Sequence, residues 1–193
     1  YTLASVVDDT DMGVTHVVRG SDHVTNTATQ IQMIEALGGT VPTFAHHSLL
    51  TGPQGESLSK RLGTLALRDL REQGVEPEAL LSLMARLGSS QPVELRMSLD
   101  EVADGFNLNQ FGSAPTKFDV QDLFPLTARK LHALGYSDVQ DELRALGVPD
   151  DQAQAFWTVA RANITTRKDI AGWWALCQNG AEPLVADEDA DFI

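Results

Sequence analysis

Two short segments of this sequence carry side chains that can bind a phosphorylated or anionic ligand. In the first, a glycine-containing loop at Gly55 leads into Ser59, Lys60 and Arg61. A lysine on such a loop can approach nucleotide phosphates and stabilise the charge that develops on them. The neighbouring arginine can donate two hydrogen bonds to one anion. The spacing does not match the phosphate loop of P-loop enzymes, and an ordinary solvated turn is the alternative interpretation.

The second segment runs from His16 to His23, and its β-rich stretch ends at Arg19 and Gly20. Ligands of open α/β sheets bind beyond the carboxyl ends of the strands. This placement would bring Arg19 to an anion, and Asp22 and His23 to a ribose or a base. A capped strand–helix turn with a solvated arginine is the alternative interpretation.

Metal ligation is not predicted for this chain. The histidines of its first half are His16, His23, His46 and His47. Their spacing fits no standard zinc pattern, so we expect no metal site. The single cysteine, Cys177, excludes an internal disulfide framework and a cysteine-based zinc site, and it suits a reducing cytosol.

The elements that position these side chains must come from residues 1–62. Apolar, β-branched runs predict three strands, at Leu3–Val7, Val14–Val18 and Phe44–Leu50. The first two strands, separated by a polar turn at Asp8–Gly13, are expected to pair as neighbours. A capping box at Thr27–Gln30 predicts the start of a helix, which Gly38 and Gly39 end.

From residue 64 onward the apolar spacing is helical. Three short helices are expected to end at Gly74, Gly88 and Gly105. Longer helices are predicted at Val120–Leu134, Asp138–Leu146, Asp150–Asn163 and Thr166–Cys177. No apolar run reaches the roughly 20 residues that a membrane span needs. The predicted fold class is therefore α/β, with too few strands to close a doubly wound unit, followed by an all-helical module.

The composition is that of an acidic globular protein. The 193 residues are 42% hydrophobic and 21% charged, which excludes whole-chain disorder. Lys and Arg number 14 against 27 Asp and Glu, a formal net charge of −13. This charge argues against nonspecific nucleic-acid binding through the overall field, although a locally basic face is compatible with it.

Basic residues for such a face occur at five places, namely Lys60–Arg61, Arg68–Arg71, Arg129–Lys130, Arg161 and Arg167–Lys168. We predict that Lys60 and Arg61 share one side of the molecule with some of Arg161, Arg167 and Lys168. The tryptophans Trp157, Trp173 and Trp174 have apolar neighbours at helical spacing, which predicts a helical core and not base-stacking platforms.

Four segments occur in a fixed order that is specific as a set. They are Tyr1-x-Leu-Ala-x-Val-Val-Asp-Asp, Met12-Gly-Val-Thr-His-Val-Val-Arg-Gly, Asp22-His-Val-x-Asn-Thr and Leu58-Ser-Lys-Arg. This order resembles the bacterial glutamyl-tRNA synthetases, which are class I aminoacyl-tRNA synthetases, most closely from Tyr1 to about Asp119. The resemblance implies that residues 1–62 are the second half of a Rossmann-type catalytic domain. Residues 63–193 would then be a helical region that contacts the tRNA stem.

The resemblance also assigns site residues. The ATP-binding residues would be Ser57, Leu58, Ser59, Lys60 and Arg61 of the second signature loop, together with Asp22 and His23. Lys60 would be the catalytic lysine that stabilises the phosphates. Ser57 departs from the family, which usually has a lysine there, and Ser21 stands where the family commonly has glutamate. Tyr1 and Arg19 would form the glutamate pocket.

The activity implied by the resemblance is the attachment of glutamate to tRNA(Glu) through glutamyl-adenylate. ATP with Mg²⁺, L-glutamate and tRNA would be the partners, and the protein would be a cytoplasmic monomer. In the family a first signature lies upstream of Tyr1, and an anticodon-binding domain lies downstream of Ile193. We therefore expect this polypeptide alone not to aminoacylate tRNA.

Two other functions are compatible with the same fold. A tRNA-modifying paralogue transfers glutamate to a modified base, and a noncatalytic interaction module would have lost ATP binding. The long helical region and the Lys60–Arg61 pair favour the synthetase, whereas Ser57 keeps the noncatalytic module open. Measurement of ATP binding by the intact protein distinguishes the synthetase from the noncatalytic module.

Overall fold

A computed structural model describes residues 1–56, 58 and 66–181. The chain divides into two compact units. The strand unit comprises the described residues of 1–63, 83–93 and 102–119. The helical unit comprises the described residues of 64–82, 94–101 and 120–193.

The strand unit is built around a β–α–β arrangement. Strand β1 (His16–Gly20) runs parallel to β2 (Thr43–His47), with His16 opposite Thr43 and Gly20 opposite His47. Helix α2 (Val24–Ala36) connects the two strands, as a parallel pair requires. A single 3₁₀ turn, Ser21–His23, links β1 to α2.

A second pair of short strands belongs to the same unit. Strand β3 (Leu50–Thr51) runs parallel to β4 (Thr116–Lys117), and the N–H of Phe118 extends the pair by donating to the Thr51 carbonyl at 2.8 Å. Phe118 itself is 3% exposed. This pairing joins two segments that lie far apart in the sequence.

The first predicted strand is wrong. Residues Thr2–Asp11 form helix α1, so the expected turn at Asp8–Gly13 is helical as far as Asp11. Val6 is 1% exposed, and α1 packs against α2. Local preference for a strand is a weak prior, and burial of an apolar face against a neighbouring helix overrides it. The partner of β1 is consequently β2 and not residues 3–7.

The predicted start of α2 is also wrong, although its end is correct. The helix begins at Val24, so Thr27 lies inside it and caps nothing. At the other end, the N–H of Gly39 donates to Ile34 and that of Gly38 to Glu35. These two bonds form a Schellman motif, for which Gly38 has the required positive φ of 73°.

The remaining helices follow the predicted order closely. They are α3 (Leu67–Gln73), α4 (Pro77–Met84), α5 (Leu99–Ala103), α6 (Leu123–Ala133), α7 (Gln140–Ala145), α8 (Asp150–Ala160) and α9 (Asp169–Asn179). In the described part of the chain, no helix has the length and apolar character needed to cross a bilayer.

Tryptophans fill the core of the helical unit, as the sequence predicts. Trp157 is 1% exposed, and its indole N–H donates to the carbonyl of Leu134 at 3.1 Å. Trp174 meets the ring of Phe156 edge-on, with 5.3 Å between centroids. Trp173 packs against the same cluster. Trp157 and Trp174 are thus occupied by core contacts, whereas Trp173 is only partly buried.

Candidate functional site

The carboxyl ends of β1 and β2 bring together residues that are distant in the sequence. Parallel pairing sets Arg19 opposite His46 at this edge of the sheet. The 3₁₀ turn after β1 then returns the chain so that α2 begins beside the same edge. Arg19, Thr27 and His46 therefore meet, as expected for a site at the ends of parallel strands.

Arg19 is held by two uncharged acceptors. Its Nη2 donates to the Thr27 hydroxyl at 2.7 Å and to the His23 carbonyl at 3.4 Å. Its guanidinium also lies 5.3 Å from the centroid of the Phe44 ring, a cation–π contact. In the described part of the chain, its buried Nε has no hydrogen-bond partner.

This geometry suits an anion-binding arginine. Neither the hydroxyl nor the carbonyl neutralises the positive charge, and the aromatic face orients the guanidinium. The unsatisfied Nε is a buried donor, and such donors normally have an acceptor. Because Nη2 already donates both of its hydrogens and Nε is buried, a ligand carboxylate would accept from Nη1, to which the described residues offer no hydrogen bond.

Asp22 and His23 lie at the solvent side of the same turn. The His23 Nε2 is 3.8 Å from an Asp22 carboxylate oxygen, and about half of each side chain is exposed. The His23 Nδ1 contacts the Asn26 amide nitrogen at 3.1 Å. These side chains are accessible to a polar ligand, and their assignment to ATP stays a prediction.

Tyr1 is the residue before α1 and is fully exposed. Its carbonyl accepts from the N–H of Ser5 at 3.1 Å, and the described residues offer no hydrogen bond to its hydroxyl. In the signature loop, Leu58 is half-buried, whereas Ser57, Ser59, Lys60 and Arg61 lie outside the described residues. The roles predicted for Tyr1 and for the loop stay predictions.

The four histidines have separate neighbours. His16 Nδ1 lies 3.0 Å from the Thr15 hydroxyl, His46 Nε2 lies 3.0 Å from the Thr27 hydroxyl, and His47 Nδ1 lies 2.9 Å from the Ser48 carbonyl. Across residues 1–56, 58 and 66–181, no group of three or more His, Cys, Asp or Glu side chains could hold a metal ion.

A charged cluster that the sequence analysis missed lies in the helical unit. Glu76, 6% exposed, contacts Arg167 Nε at 2.8 Å and Lys130 Nζ at 2.8 Å. Arg167 also contacts Glu142 at 2.5 Å, and Lys130 also contacts Glu78. We call these five residues the Glu76 cluster. A buried charge surrounded by opposite charges is the arrangement that can tolerate removal from water.

The Glu76 cluster perturbs two ionisations. Burial alone raises the pKa of Glu76, but the hydrogen bonds and charges of Arg167 and Lys130 outweigh it and hold the pKa below its ordinary value. Burial lowers the pKa of Arg167, and Glu76 and Glu142 reverse this, so that the pKa is raised. Glu76 and Arg167 are both charged at neutral pH.

The cluster counts against the predicted basic face at Arg167, since two carboxylates compensate its charge. Lys168 donates to the backbone carbonyl of Glu72, and Arg161 donates to that of Leu134 at 3.1 Å. These acceptors are uncharged. Of Arg161, Arg167 and Lys168, the first and the last therefore have no carboxylate partner among the described residues and could meet a polyanion.

Comparison with known proteins decides the family. Residues 1–125 match the family model described as "tRNA synthetases class I (E and Q), catalytic domain". The chain belongs to this family. Its resemblance to bacterial glutamyl-tRNA synthetases and its α/β fold class are thereby confirmed.

Individual relatives of this synthetase-family chain cover all of its 193 residues. It is 73% identical to glutamate–tRNA ligase 2 of Ruegeria sp. (strain TM1040) and 74% identical to glutamate–tRNA ligase 2 of Jannaschia sp. (strain CCS1). A crystal structure of a glutamate tRNA ligase from Elizabethkingia meningosepticum CCUG26117, in complex with its amino acid, matches with a TM-score of 0.83 and 26% identity. The chain spans 44%, 43% and 43% of these three proteins, respectively.

Proposed function

We propose that this chain is part of an enzyme that attaches glutamate to tRNA(Glu) at the expense of ATP. The observation that carries the proposal is the 73% identity, over all 193 residues, to a glutamate–tRNA ligase. The proposed site agrees with this identity, because an arginine whose described hydrogen-bond partners are neutral lies at the carboxyl end of a parallel strand.

The proposed reaction has two steps. A carboxylate oxygen of glutamate attacks the α-phosphorus of ATP, the bond to the β-phosphate bridge breaks, and pyrophosphate leaves with that electron pair. A ribose hydroxyl at the 3′ end of tRNA then attacks the acyl carbon of glutamyl-adenylate, AMP leaves, and the hydroxyl proton is released. Positioning and charge stabilisation supply the catalysis, and no covalent enzyme intermediate is needed.

For glutamate, we propose that Arg19 binds a substrate carboxylate and that the Tyr1 hydroxyl donates a hydrogen bond to the same substrate. The chemistry of Arg19 supports this role, because its Nη2 is held by neutral groups and, within the described residues, its Nη1 has no hydrogen-bond acceptor. A pre-oriented guanidinium loses less side-chain freedom when it pairs with a carboxylate.

For ATP, we propose the loop at 57–61, with Lys60 as the residue that stabilises the phosphates, and Asp22 and His23 as further contacts. ATP would enter as its magnesium complex, in which phosphate oxygens and water supply most ligands of the ion. A dedicated cage of protein carboxylates is therefore not required of this chain.

We further propose roles for the two parts of the chain and a cellular location for the protein. Residues 1–62 would belong to the catalytic domain, and residues 63–193 would contact the tRNA stem. The protein would act as a monomer in the cytoplasm without membrane attachment.

The test is aminoacylation by the full-length protein with glutamate, ATP and tRNA(Glu). We expect Arg19→Ala to raise the KM for glutamate about 100-fold, as for loss of a charged, paired hydrogen bond. Lys60→Ala should instead lower kcat about 100-fold, because its charge is needed in the transition state. Arg144→Ala, which removes an exposed arginine in the helical unit, is the matched control and should leave both constants unchanged.

Two other outcomes would reject the proposal. Glutamate transfer to a base within another tRNA, with no charging of tRNA(Glu), would identify the modifying paralogue. Failure of the intact protein to bind ATP in calorimetry would identify the noncatalytic module.

A further inference from the structure

The hydroxyl of Thr27 has three hydrogen-bonding neighbours. Arg19 Nη2 lies at 2.7 Å, His46 Nε2 at 3.0 Å and the His23 carbonyl oxygen at 3.2 Å. These groups come from β1, β2 and the turn before α2, and all belong to the strand unit. Thr27 is thus the point at which three elements around the candidate pocket are joined.

The numbers of donor hydrogens and acceptor lone pairs on these groups fix the direction of each bond. A threonine hydroxyl has one donor hydrogen and two acceptor lone pairs. Arginine only donates and a carbonyl only accepts, so Thr27 accepts from Arg19 and donates to His23. All three bonds exist together only when His46 carries a proton on Nε2 and donates as well. The hydroxyl is then saturated, and its orientation is fixed by protein groups alone.

Two features of the fold hold this arrangement in place. The β1–β2 register sets Arg19 directly opposite His46, so both approach α2 from the same edge. Thr27 lies one turn into α2, and its β-branched side chain has few allowed rotamers in a helix. The hydroxyl therefore has little freedom to leave Arg19.

We propose that Thr27, anchored by His46, is a positioning residue that orients the Arg19 guanidinium for a carboxylate of the amino-acid substrate. This inference rests on the proposed function, in which Arg19 binds glutamate. The Nη2 of Arg19 is fixed by Thr27, whereas its Nη1 has no hydrogen-bond acceptor among the described residues and remains for the substrate carboxylate. A flexible arginine would have to be ordered at each binding event, and pre-orientation removes that cost.

The experiment compares Thr27→Val with Thr27→Ser in the full-length enzyme, with steady-state aminoacylation as the assay. Valine keeps the branched shape and loses the hydroxyl, whereas serine keeps the hydroxyl. We expect Thr27→Val to raise the KM for glutamate about 10-fold, the loss of one hydrogen bond to a charged group. Thr27→Ser should stay within about 3-fold of wild type, and the KM for ATP should stay within about 2-fold in both variants.

Arg19→Ala in the same assay separates this inference from the proposed function. If Arg19→Ala leaves the KM for glutamate unchanged, the proposed glutamate role of Arg19 is wrong. If Arg19→Ala raises it while Thr27→Val matches wild type, only the positioning role is overturned. In an Arg19→Ala background, Thr27→Val should add nothing, because the two residues act as one unit.

His46 provides a second route should Thr27→Val fail to fold. His46→Gln retains an N–H donor and should keep the KM for glutamate near wild type. His46→Leu removes the donor and should raise that KM in the same direction as Thr27→Val. Equal KM increases for Thr27→Ser and Thr27→Val, or no increase for His46→Leu, would contradict the proposed role of the hydroxyl.

Discussion

At the scale of single residues, the chain places charged side chains in two opposite ways. Among the described residues, Arg19 donates hydrogen bonds only to neutral groups, which suits a ligand site. Glu76 is buried between two cations, which suits a structural role. Removing one member of a buried ion cluster leaves its partners desolvated and unpaired, and this is far more costly than losing a surface pair.

Glu76→Gln should therefore destabilise the helical unit. Lys130 keeps Glu78 and Arg167 keeps Glu142, so we expect a loss of about 2–3 kcal/mol, below that of a fully broken buried pair. Amide hydrogen exchange of peptides from α6 and α9 in the full-length protein would measure it. Asp141→Asn, at an almost fully exposed carboxylate, is the control and should leave protection unchanged. Unchanged protection in Glu76→Gln would contradict a stabilising role for the cluster.

Acid should weaken the same unit. Because the folded pKa of Glu76 lies below its ordinary value of 4.5, the unfolded chain takes up a proton first as the pH falls. The stabilisation is thus fully present above pH 4.5 and is lost as the pH falls through the folded pKa. Exchange protection, corrected for the intrinsic rate, should decline over this range in wild type and decline less in Glu76→Gln. An identical decline in both proteins would exclude Glu76 as the cause.

At the scale of elements, glycines define where several helices end. The α3 helix ends at Gly74, whose φ is +86°. The N–H of Gly74 donates to Arg71 and that of Val75 to Leu70, which completes a Schellman motif. A Cβ on Gly74 would also lie 2.9 Å from the Thr166 Cβ. Both the backbone conformation and the close contact therefore require glycine here.

Gly74→Ala should lower the stability of the helical unit by about 1–2 kcal/mol, combining left-handed strain with a steric conflict. Gly172→Ala is the matched control. Gly172 lies inside α9, and a Cβ there would meet nothing within 4 Å. That change should stabilise the unit by about 0.5–1 kcal/mol through helix propensity. Hydrogen-exchange protection of α3 and α9 peptides should fall in Gly74→Ala and rise in Gly172→Ala. A change in the same direction in both variants would refute this explanation.

At the scale of the whole molecule, the chain carries a net charge of −13 although its proposed partner is a polyanion. Carboxylates of the Glu76 cluster compensate the positive charges of Lys130 and Arg167. If tRNA is the partner, as proposed, its binding would depend on a few specific cations and not on the overall field.

The 193 residues by themselves should not aminoacylate tRNA, whereas the full-length protein should. The chain spans only 44% of the ligase from Ruegeria sp. that it matches. In the part of the chain that the structure describes, the sheet at the candidate site has two strands, fewer than the roughly four to six that are common. Both polypeptides would be assayed side by side for tRNA charging with glutamate. Charging by the short chain would disprove the expectation.

Much of the local structure was predictable from sequence. The ends of α2 and α3 follow from glycines at Gly38 and Gly74, and the position of β1 follows from a β-branched run. These features depend on backbone preferences that act within a few residues. The ordered set of family motifs similarly indicates the synthetase family from sequence alone, and the family match confirms it.

The predictions that were wrong and the contacts that were not predicted have a different cause. The segment at residues 2–11 has β-branched residues but is helical, because Val6 is buried where α1 packs against α2. The Thr27–His46 bond joins residues 19 apart, and the Glu76–Arg167 bond joins residues 91 apart. Local periodicity contains no information about such pairs.

The sequence by itself thus determined the family, the helical character of the second half and the chemical identity of the candidate site residues. Tertiary structure alone decided that Arg19 meets Thr27 and His46, and that Arg167 is compensated by Glu76 and Glu142. The physical reason is the distance along the chain over which each kind of interaction acts. Dihedral preferences and capping bonds act along a few residues, whereas the charge state and orientation of a side chain depend on whichever distant groups packing brings against it.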